Sequence, residues 1–150
     1  MKLDGEVTIK ADRQKVWDFL TNPEAVSQCA PGLESMKIIE PDKQFEAVAA
    51  LGFGTVKMRF VTDVRWVELD APSFAKMTAH GTAPGSAADV TGDMRLEELA
   101  EGGTKMTWSA DILVSGTITS LASRMMGSVS KKIANSFFDC VRGYLEDGSE

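Results

Sequence analysis

The C-terminal stretch from Thr117 to Glu146, TITSLASRMMGSVSKKIANSFFDCVRGYLE, has the residue spacing of one long amphipathic helix. Its apolar side chains recur every three or four residues and therefore share one helical face. These apolar positions are Ile118, Leu121, Ala122, Met125, Val129, Ile133, Phe137, Val141 and Tyr144. At 1.5 Å per residue the helix would be about 45 Å long, enough to cross a small domain. An apolar face of that length needs a large apolar surface to cover it.

The middle of the chain, from Leu33 to Ser115, supplies such a surface. Apolar and polar residues alternate there with a period of two, which is typical of strands with one buried face. Clusters of Gly, Pro and Asp divide the region into short segments, and a further alternating segment, Glu6 to Lys10, lies near the N-terminus. Strands joined by short turns form an antiparallel sheet. We therefore expect about seven strands in one such sheet.

Two short helices are predicted between the first strand and this region. Asp12 is a suitable N-cap for the first, and Asn22 followed by Pro23 suits the start of the second. Pro31 and Gly32 end the second helix and turn the chain into a strand. The order of elements predicts a single α+β domain over residues 1–150. In this arrangement, the helix-grip fold, a curved antiparallel sheet wraps around the C-terminal helix.

Composition and charge exclude several classes of protein. The net charge of -6 and the pI near 4.9 argue against binding to nucleic acid, which normally needs a basic face. No apolar run approaches the roughly 20 residues of a membrane-spanning helix, and the N-terminus lacks the apolar segment of a signal peptide. Cys29 and Cys140 lie far apart in sequence and form neither a disulfide framework nor a zinc ligand set. We therefore expect a soluble, cytoplasmic protein with reduced cysteines and no membrane anchor in this chain.

Several short motifs occur in a characteristic order along nearly the whole chain. They are Val16–Leu20 (VWDFL), Asn22–Glu24 (NPE), Cys29–Gly32 (CAPG), Gly103–Trp108 (GTKMTW), Gly116–Ile118 (GTI), Leu121, Arg124, Lys131–Ile133 (KKI) and Phe137–Phe138. In these motifs the chain resembles the CoxG-like family, named after the G subunit of carbon monoxide dehydrogenase, within the START and birch-pollen-allergen-like (SRPBCC) superfamily. The resemblance implies a helix-grip domain with an internal apolar cavity.

The resemblance also implies a biological setting. Members of this family are associated with the maturation, membrane recruitment or electron transfer of molybdenum hydroxylases of the carbon monoxide dehydrogenase type. Subunits of such a hydroxylase are therefore the expected partners, and the inner face of the membrane is a second expected location. The family picture contains no catalytic residue set, and we expect no cofactor and no metal site.

The distribution of methionine and alanine independently predicts an apolar cavity. Methionines recur on the inward faces of the strands and on the apolar face of the long helix, together with many alanines. Small residues opposite a single helix leave volume that the core does not fill, and methionine adapts to apolar ligands. The residues expected to face this cavity are Cys29, Phe45, Met58, Phe60, Met77, Met94, Trp108, Leu121 and Met125. Such a cavity suits a lipid, an isoprenoid or a quinone.

The side chains most often used in catalysis have ordinary structural explanations here. Cys29 lies near a helix C-terminus, whose partial negative charge disfavours a thiolate, so we expect it to be a packing residue. Cys140 is expected to be a small buried apolar residue. His80 falls on the polar face of its strand without a second metal ligand at a suitable spacing, which indicates an exposed histidine.

Three further patterns are weak. Ser128 to Lys131 matches S-x-x-K, but the companion motifs are missing and the segment lies within the long helix. Gly52-Phe53-Gly54 lacks the third glycine of a dinucleotide loop and is expected to be a strand turn. Asp89 and Asp93 share the outward face of one strand, where carboxylates are normally solvated.

Three functions are consistent with this sequence. The favoured one is a non-enzymatic protein that holds an apolar ligand in the cavity and associates with a molybdenum hydroxylase. The second is a polyketide cyclase-like enzyme of the same superfamily, which is disfavoured because the inward positions are almost wholly apolar. The third is a protein-interaction module or co-chaperone that needs no ligand.

Overall fold

The computed structural model of the protein describes residues 1–53 and 55–147, apart from the side chains of Phe53 and Asp147. Gly54, at the predicted strand turn, lies outside the described residues. The elements in chain order are β1 (Lys2–Ile9), α1 (Arg13–Leu20), α2 (Pro23–Ser27), β2 (Leu33–Glu40), β3 (Gln44–Phe53), β4 (Val56–Asp70), β5 (Phe74–Ala83), β6 (Ser86–Glu98), β7 (Thr104–Gly116) and α3 (Thr119–Asp147).

The seven strands form one antiparallel sheet in the order β1-β7-β6-β5-β4-β3-β2. This confirms the predicted curved sheet, the two short helices and the long C-terminal helix. Strands β1 and β2 are the edges of the sheet, and α3 lies across its concave face. The short helices α1 and α2 follow β1 and close one end of the sheet.

Local interactions explain how the short helix α2 begins and how the chain turns after it. The side-chain oxygen of Asn22 accepts a hydrogen bond from the Glu24 N–H at 3.0 Å, as predicted for an N-cap. Asp12 occupies the N-cap position of α1, but its side chain makes no capping hydrogen bond there. Gly32 has φ = 77°, and a Cβ at this position would collide with the Ala50 carbonyl oxygen. Only glycine therefore allows the chain to turn from α2 into β2.

The main apolar core lies at one end of the sheet, not at its centre. It is formed by α1, the C-terminal turns of α3 and the adjacent ends of the strands. Its fully or nearly buried members include Val7, Ile9, Val16, Trp17, Leu20, Met94, Leu96, Met106, Val141 and Leu145. Because the core is concentrated there, the middle of the sheet is left to be covered by α3 alone.

Helix α3 is fixed mainly near its two ends. Ile118, just before the helix, and Ala122 are almost fully buried, and Val141 and Leu145 are buried near the other end. Between Ala122 and Val141, the inward-facing residues of the helix are only half-buried. The helix therefore bridges a space above the middle of the sheet.

Tyr144 was predicted on the buried face of the helix, and that prediction is wrong. The residue is 50 % exposed. Its ring makes a tilted contact with the ring of Phe19, with 5.7 Å between the centroids. At this position the helix packs against α1 rather than the sheet, so one side of the ring stays in solvent.

Cys29 and Cys140 form a disulfide, with 5.5 Å between their Cα atoms. The expectation of two unpaired, reduced cysteines is therefore wrong. The sequence separation of 111 residues concealed a close approach. Cys29 is buried at the end of α2, and the C-terminal half of α3 crosses that corner at a Cα separation typical of disulfides.

Candidate functional site

A cavity of about 410 Å³ lies between α3 and the concave face of the sheet. Its floor is formed by Leu3, Ala49, Leu51, Phe60, Thr62, Ala79, Gly81, Ala88, Val90, Trp108, Ala110, Ile112 and Val114. Ile118 and the helix residues Met126, Val129, Ser130, Ile133, Ala134, Phe137 and Phe138 complete the wall. The volume lies within the range of small-molecule sites.

Small residues on neighbouring strands explain why the space exists. Ala79 and Gly81 on β5 lie next to the inward positions of β6, where Gly81 pairs directly with Ala88. Ala49 on β3 and Ala110 on β7 extend this shallow floor to both sides. Because these side chains reach only a short distance from the sheet, a space remains between this part of the floor and the helix above it.

The cavity has almost no polar chemistry. No titratable side chain lines it among the described residues, and its only hydroxyl groups belong to Thr62 and Ser130. Neither hydroxyl has a hydrogen-bond partner in the described part of the chain. A bound molecule would therefore be held by shape and apolar contact, with two hydroxyl groups available for hydrogen bonding.

The sequence-predicted cavity residues divide into two groups. Phe60 and Trp108 line the cavity. Met58, Leu121 and Met125 lie outside its lining but pack in the apolar cluster around Phe60, beside the cavity. These three support the wall without facing the space.

The remaining predicted residues lie elsewhere. Met94 belongs to the main core, and Met77 is half-buried on β5 beside Gly92. Phe45 lines a separate pocket near α2 and the β2–β3 turn. Cys29 is buried in its disulfide and is absent from the cavity wall. The inward face of a strand contributes to the core or to the cavity according to its distance from α1.

A row of helix residues was missed by the sequence analysis. The predicted apolar face of the helix was centred on Met125, Val129, Ile133 and Phe137. The cavity wall also includes the neighbouring row Met126, Ser130, Ala134 and Phe138. This second row is spaced by four residues, so the helical periodicity could have found it.

Two clefts extend from the cavity along the sides of α3. The cleft between β1 and α3, called here the β1–α3 cleft, has a volume of about 430 Å³. It is lined by Leu3–Val7, Trp108, Gly127, Ser130, Lys131, Ala134, Asn135, Phe138, Asp139 and Arg142. The cleft on the other side, the β3–α3 cleft, is lined by Pro31, Gly32, Ala50–Gly52, Met125, Ser128, Val129, Lys132, Ile133 and Ser136.

Two carboxyl groups with a lowered pKa, Asp63 and Glu34, lie on the convex face of the sheet, away from the cavity. The hydrogen bond from Arg65 has the largest effect on the pKa of Asp63, and the hydrogen bond from Gln44 has the next largest. Both lower this pKa below its ordinary value. A hydrogen bond from Arg59 likewise lowers the pKa of Glu34.

His80 also lies outside the cavity. It is exposed, as predicted, and its Nδ1 lies 2.6 Å from Asp89 Oδ1. In the residues that the structure describes, no group of three or more His, Cys, Asp and Glu side chains could hold a metal ion. None of the helices in the described ranges is both long enough and apolar enough to span a membrane.

The arrangement defines the class of protein: a helix-grip domain of the START type. Similar folds occur in a conserved protein from Geobacillus kaustophilus (TM-score 0.90, 21 % identity, covering 98 % of this chain and 96 % of that one) and in the ZhuI aromatase/cyclase from Streptomyces sp. R1128 (TM-score 0.77, 16 % identity, covering 100 % and 96 %). A START superfamily protein from Mycobacterium smegmatis is also similar (TM-score 0.72, 11 % identity, covering 97 % of both chains).

Within this class, residues 5–146 match the family of CoxG, the G subunit of carbon monoxide dehydrogenase. The protein belongs to that family. No curated protein matches the sequence.

Proposed function

We propose that the protein binds an apolar ligand, such as a lipid, an isoprenoid or a quinone, in the cavity beneath α3. The observation that carries this proposal is a space of about 410 Å³ whose described wall is apolar except for two hydroxyl groups. Such a wall favours long apolar molecules, because a sugar or nucleotide would leave polar groups buried without partners.

We further propose that the protein is not an enzyme acting on this ligand. General acid–base and nucleophilic catalysis need a positioned side chain that can exchange a proton or attack the substrate. The cavity offers only the Thr62 and Ser130 hydroxyls, and no described side chain that could act as a base lies near either of them in its wall. The similarity to an aromatase/cyclase concerns the fold, which supports more than one function.

Membership of the CoxG family supports a partner as well as a ligand. We propose that the protein associates with a molybdenum hydroxylase of the carbon monoxide dehydrogenase type. It holds or delivers the ligand for the maturation, membrane recruitment or electron transfer of that hydroxylase. Co-purification of hydroxylase subunits with tagged protein from its own host tests this association. A chain that copurifies with none of those subunits would contradict it.

Filling the cavity tests ligand binding directly. The Ala49→Phe variant places a ring in the cavity floor, whereas Val61→Phe adds the same ring to an exposed residue of the convex face. The probe is 1,6-diphenylhexatriene, an uncharged apolar molecule that becomes fluorescent when it is bound. We expect at least a tenfold loss of affinity in Ala49→Phe and less than a twofold change in Val61→Phe.

Native mass spectrometry of protein purified from its host identifies what the cavity holds. An apolar molecule released by the parent protein and absent from Ala49→Phe would support the proposal. A parent protein that carries no ligand and also fails to bind diphenylhexatriene, fatty acids and quinones would overturn it. A hydroxylase partner captured equally by Ala49→Phe would then favour the ligand-free interaction module.

A further inference from the structure

The apolar cavity is continuous with the β1–α3 cleft. The two spaces share Leu3, Trp108, Ser130, Ala134 and Phe138 in their walls. A molecule that fills the cavity can therefore extend past Trp108 and Ser130 into the cleft.

The free edge of β1 gives the cleft a polar wall. Met1 and Ile112 exchange both of their backbone hydrogen bonds, each 2.8 Å long. Because hydrogen-bonded pairs alternate along an antiparallel ladder, the even-numbered residues of β1 point their N–H and C=O groups away from β7. The Thr8 carbonyl oxygen confirms this direction, since it accepts a hydrogen bond from Arg142 Nε of α3 at 3.3 Å. The N–H groups of Asp4 and Glu6 point to the same side.

Helix α3 contributes further donors to this cleft. Lys131 and Asn135 line it and are exposed, and neither has an ion-pair or side-chain hydrogen-bond partner in the described part of the chain. The Ser130 hydroxyl lies where the cleft meets the cavity.

The acidic residues of the β1–α3 cleft do not neutralise the donors that its walls present. Asp139 lies 3.8 Å from Arg142, and Glu6 lies 3.5 Å from Lys105. The Asp4 and Glu6 carboxylates extend toward the convex face, because side chains alternate along a strand and Leu3 faces the cavity. The ammonium group of Lys131 is therefore the unpaired charge that the helix presents to the cleft.

The β3–α3 cleft lacks an equivalent wall. Strand β3 is paired with β4 along its whole length and with β2 from Gln44 to Ala49, so that most of its backbone groups are used within the sheet. The Ala50 N–H donates to the Gly32 carbonyl oxygen at 2.8 Å, and the Ser128 hydroxyl donates to the Met125 carbonyl oxygen at 3.1 Å.

We propose that the β1–α3 cleft holds the polar head of the ligand whose apolar tail fills the cavity. The head carries acceptor oxygens, as in a carboxylate or a carbonyl group, and these accept hydrogen bonds from Lys131, Asn135 and the free N–H groups of β1. The ligand is thus amphipathic and has one orientation. This inference rests on the proposed function, because it concerns the same ligand.

Two neighbouring lysines provide a matched test. Lys131→Ala removes a cation from the β1–α3 cleft, and Lys132→Ala removes one from the opposite side of the same helix. The probes are cis-parinaric acid, which has an 18-carbon chain and a carboxylate head, and 1,6-diphenylhexatriene, which has no polar head. We expect Lys131→Ala to weaken binding of parinaric acid about threefold to tenfold at low salt. Lys132→Ala should leave it within twofold, and neither variant should alter diphenylhexatriene binding.

The outcomes separate the two proposals. Equal effects of the two lysine variants on parinaric acid, with diphenylhexatriene still bound, would overturn the head site and leave the apolar cavity intact. Failure of parinaric acid to bind the parent protein would overturn the head site. If diphenylhexatriene and quinones also fail to bind and the protein carries no ligand from its host, the proposed function is overturned as well.

Paramagnetic broadening of amide NMR signals tests the orientation without a variant. With 5-doxyl-stearic acid, whose label is close to the carboxylate, we expect the strongest broadening at Asp4, Glu6 and Asn135. With 16-doxyl-stearic acid, whose label is near the end of the tail, it should move to Ala79 and Ala88 on the cavity floor. The reverse pattern, or broadening centred on Gly32 and Lys132, would overturn the proposal.

Discussion

The indole ring of Trp108 lies against Gly5, its direct partner on the neighbouring strand, and leaves no room for a side chain there. A Cβ atom on Gly5 would lie 2.7 Å from Trp108 Nε1 and 2.8 Å from two carbons of the ring. Trp108 contributes to the walls of both the cavity and the β1–α3 cleft. Gly5 therefore determines where the ring between these two spaces can lie.

Replacing Gly5 with alanine should displace this ring. We expect Gly5→Ala to lower the free energy of unfolding by about 1–3 kcal/mol, because the added methyl group overpacks a tight contact. Urea unfolding measures the loss, and a shift of tryptophan emission should accompany it. Gly92→Ala is the control, since a Cβ there would only approach the Ser109 carbonyl oxygen at 3.5 Å, an ordinary contact. Equal stability and identical emission in the two variants would contradict this explanation.

Residue periodicity was sufficient to predict the fold but not the depth of each residue within it. Met94 and Ala79 both occupy inward strand positions, yet Met94 lies in the main core and Ala79 on the cavity floor. The difference depends on how far α1 extends over the sheet, which a pattern of alternation does not encode. The disulfide was missed for a related reason, because the proximity of Cys29 and Cys140 arises only when α3 crosses the α2 corner.

The buried hydroxyl of Thr104 should matter for stability. It is fully buried and donates a hydrogen bond to the Ala11 carbonyl oxygen at 2.7 Å, which joins β7 to the turn before α1. Thr104→Val keeps the shape but removes the donor, so we expect a loss of about 1–3 kcal/mol in the free energy of unfolding. Thr107→Val, on the exposed face of the same strand, is the matched control and should change stability by less than about 0.5 kcal/mol. Similar losses in both variants would assign the effect to the strand rather than the hydrogen bond.

The lowered pKa of Asp63 predicts a dependence of stability on acid. Arg65 donates to one carboxylate oxygen of Asp63 at 2.8 Å and Gln44 to the other at 2.6 Å, and both bonds favour the charged form. Because the folded pKa is below the unfolded value of about 3.9, this contribution is present above that pH and is lost as the pH falls through the folded pKa. Removing a donor with Gln44→Leu should raise the Asp63 pKa and move the loss to higher pH.

Carbon-13 NMR titration of the Asp63 carboxyl group measures this change. Gln28→Leu, which alters an exposed glutamine elsewhere, should leave the titration unchanged. An Asp63 pKa that is the same in Gln44→Leu and in the parent protein would show that the Gln44 hydrogen bond does not contribute.

The disulfide should stabilise the protein by fastening α3 to the rest of the fold. It joins Cys140, in the C-terminal half of the helix, to Cys29 at the α2 corner, and it closes a long loop in the unfolded chain. Reduction should therefore lower the free energy of unfolding by about 2–4 kcal/mol. Urea unfolding with and without reductant measures the effect. Hydrogen exchange should also become faster in the part of α3 that bridges the cavity, because its inward-facing side chains are only half-buried.

The double variant Cys29→Ala/Cys140→Ala separates the bond from any general effect of the reductant. Its stability should be close to that of the reduced parent and should not respond to reductant. Thiol titration of the denatured parent protein, prepared without reductant, should find no free thiol groups. Two free thiols per chain would show that the bond is absent in solution. The end of α3 would then be held by the burial of Val141 and Leu145 and by its contacts with α1 and β1.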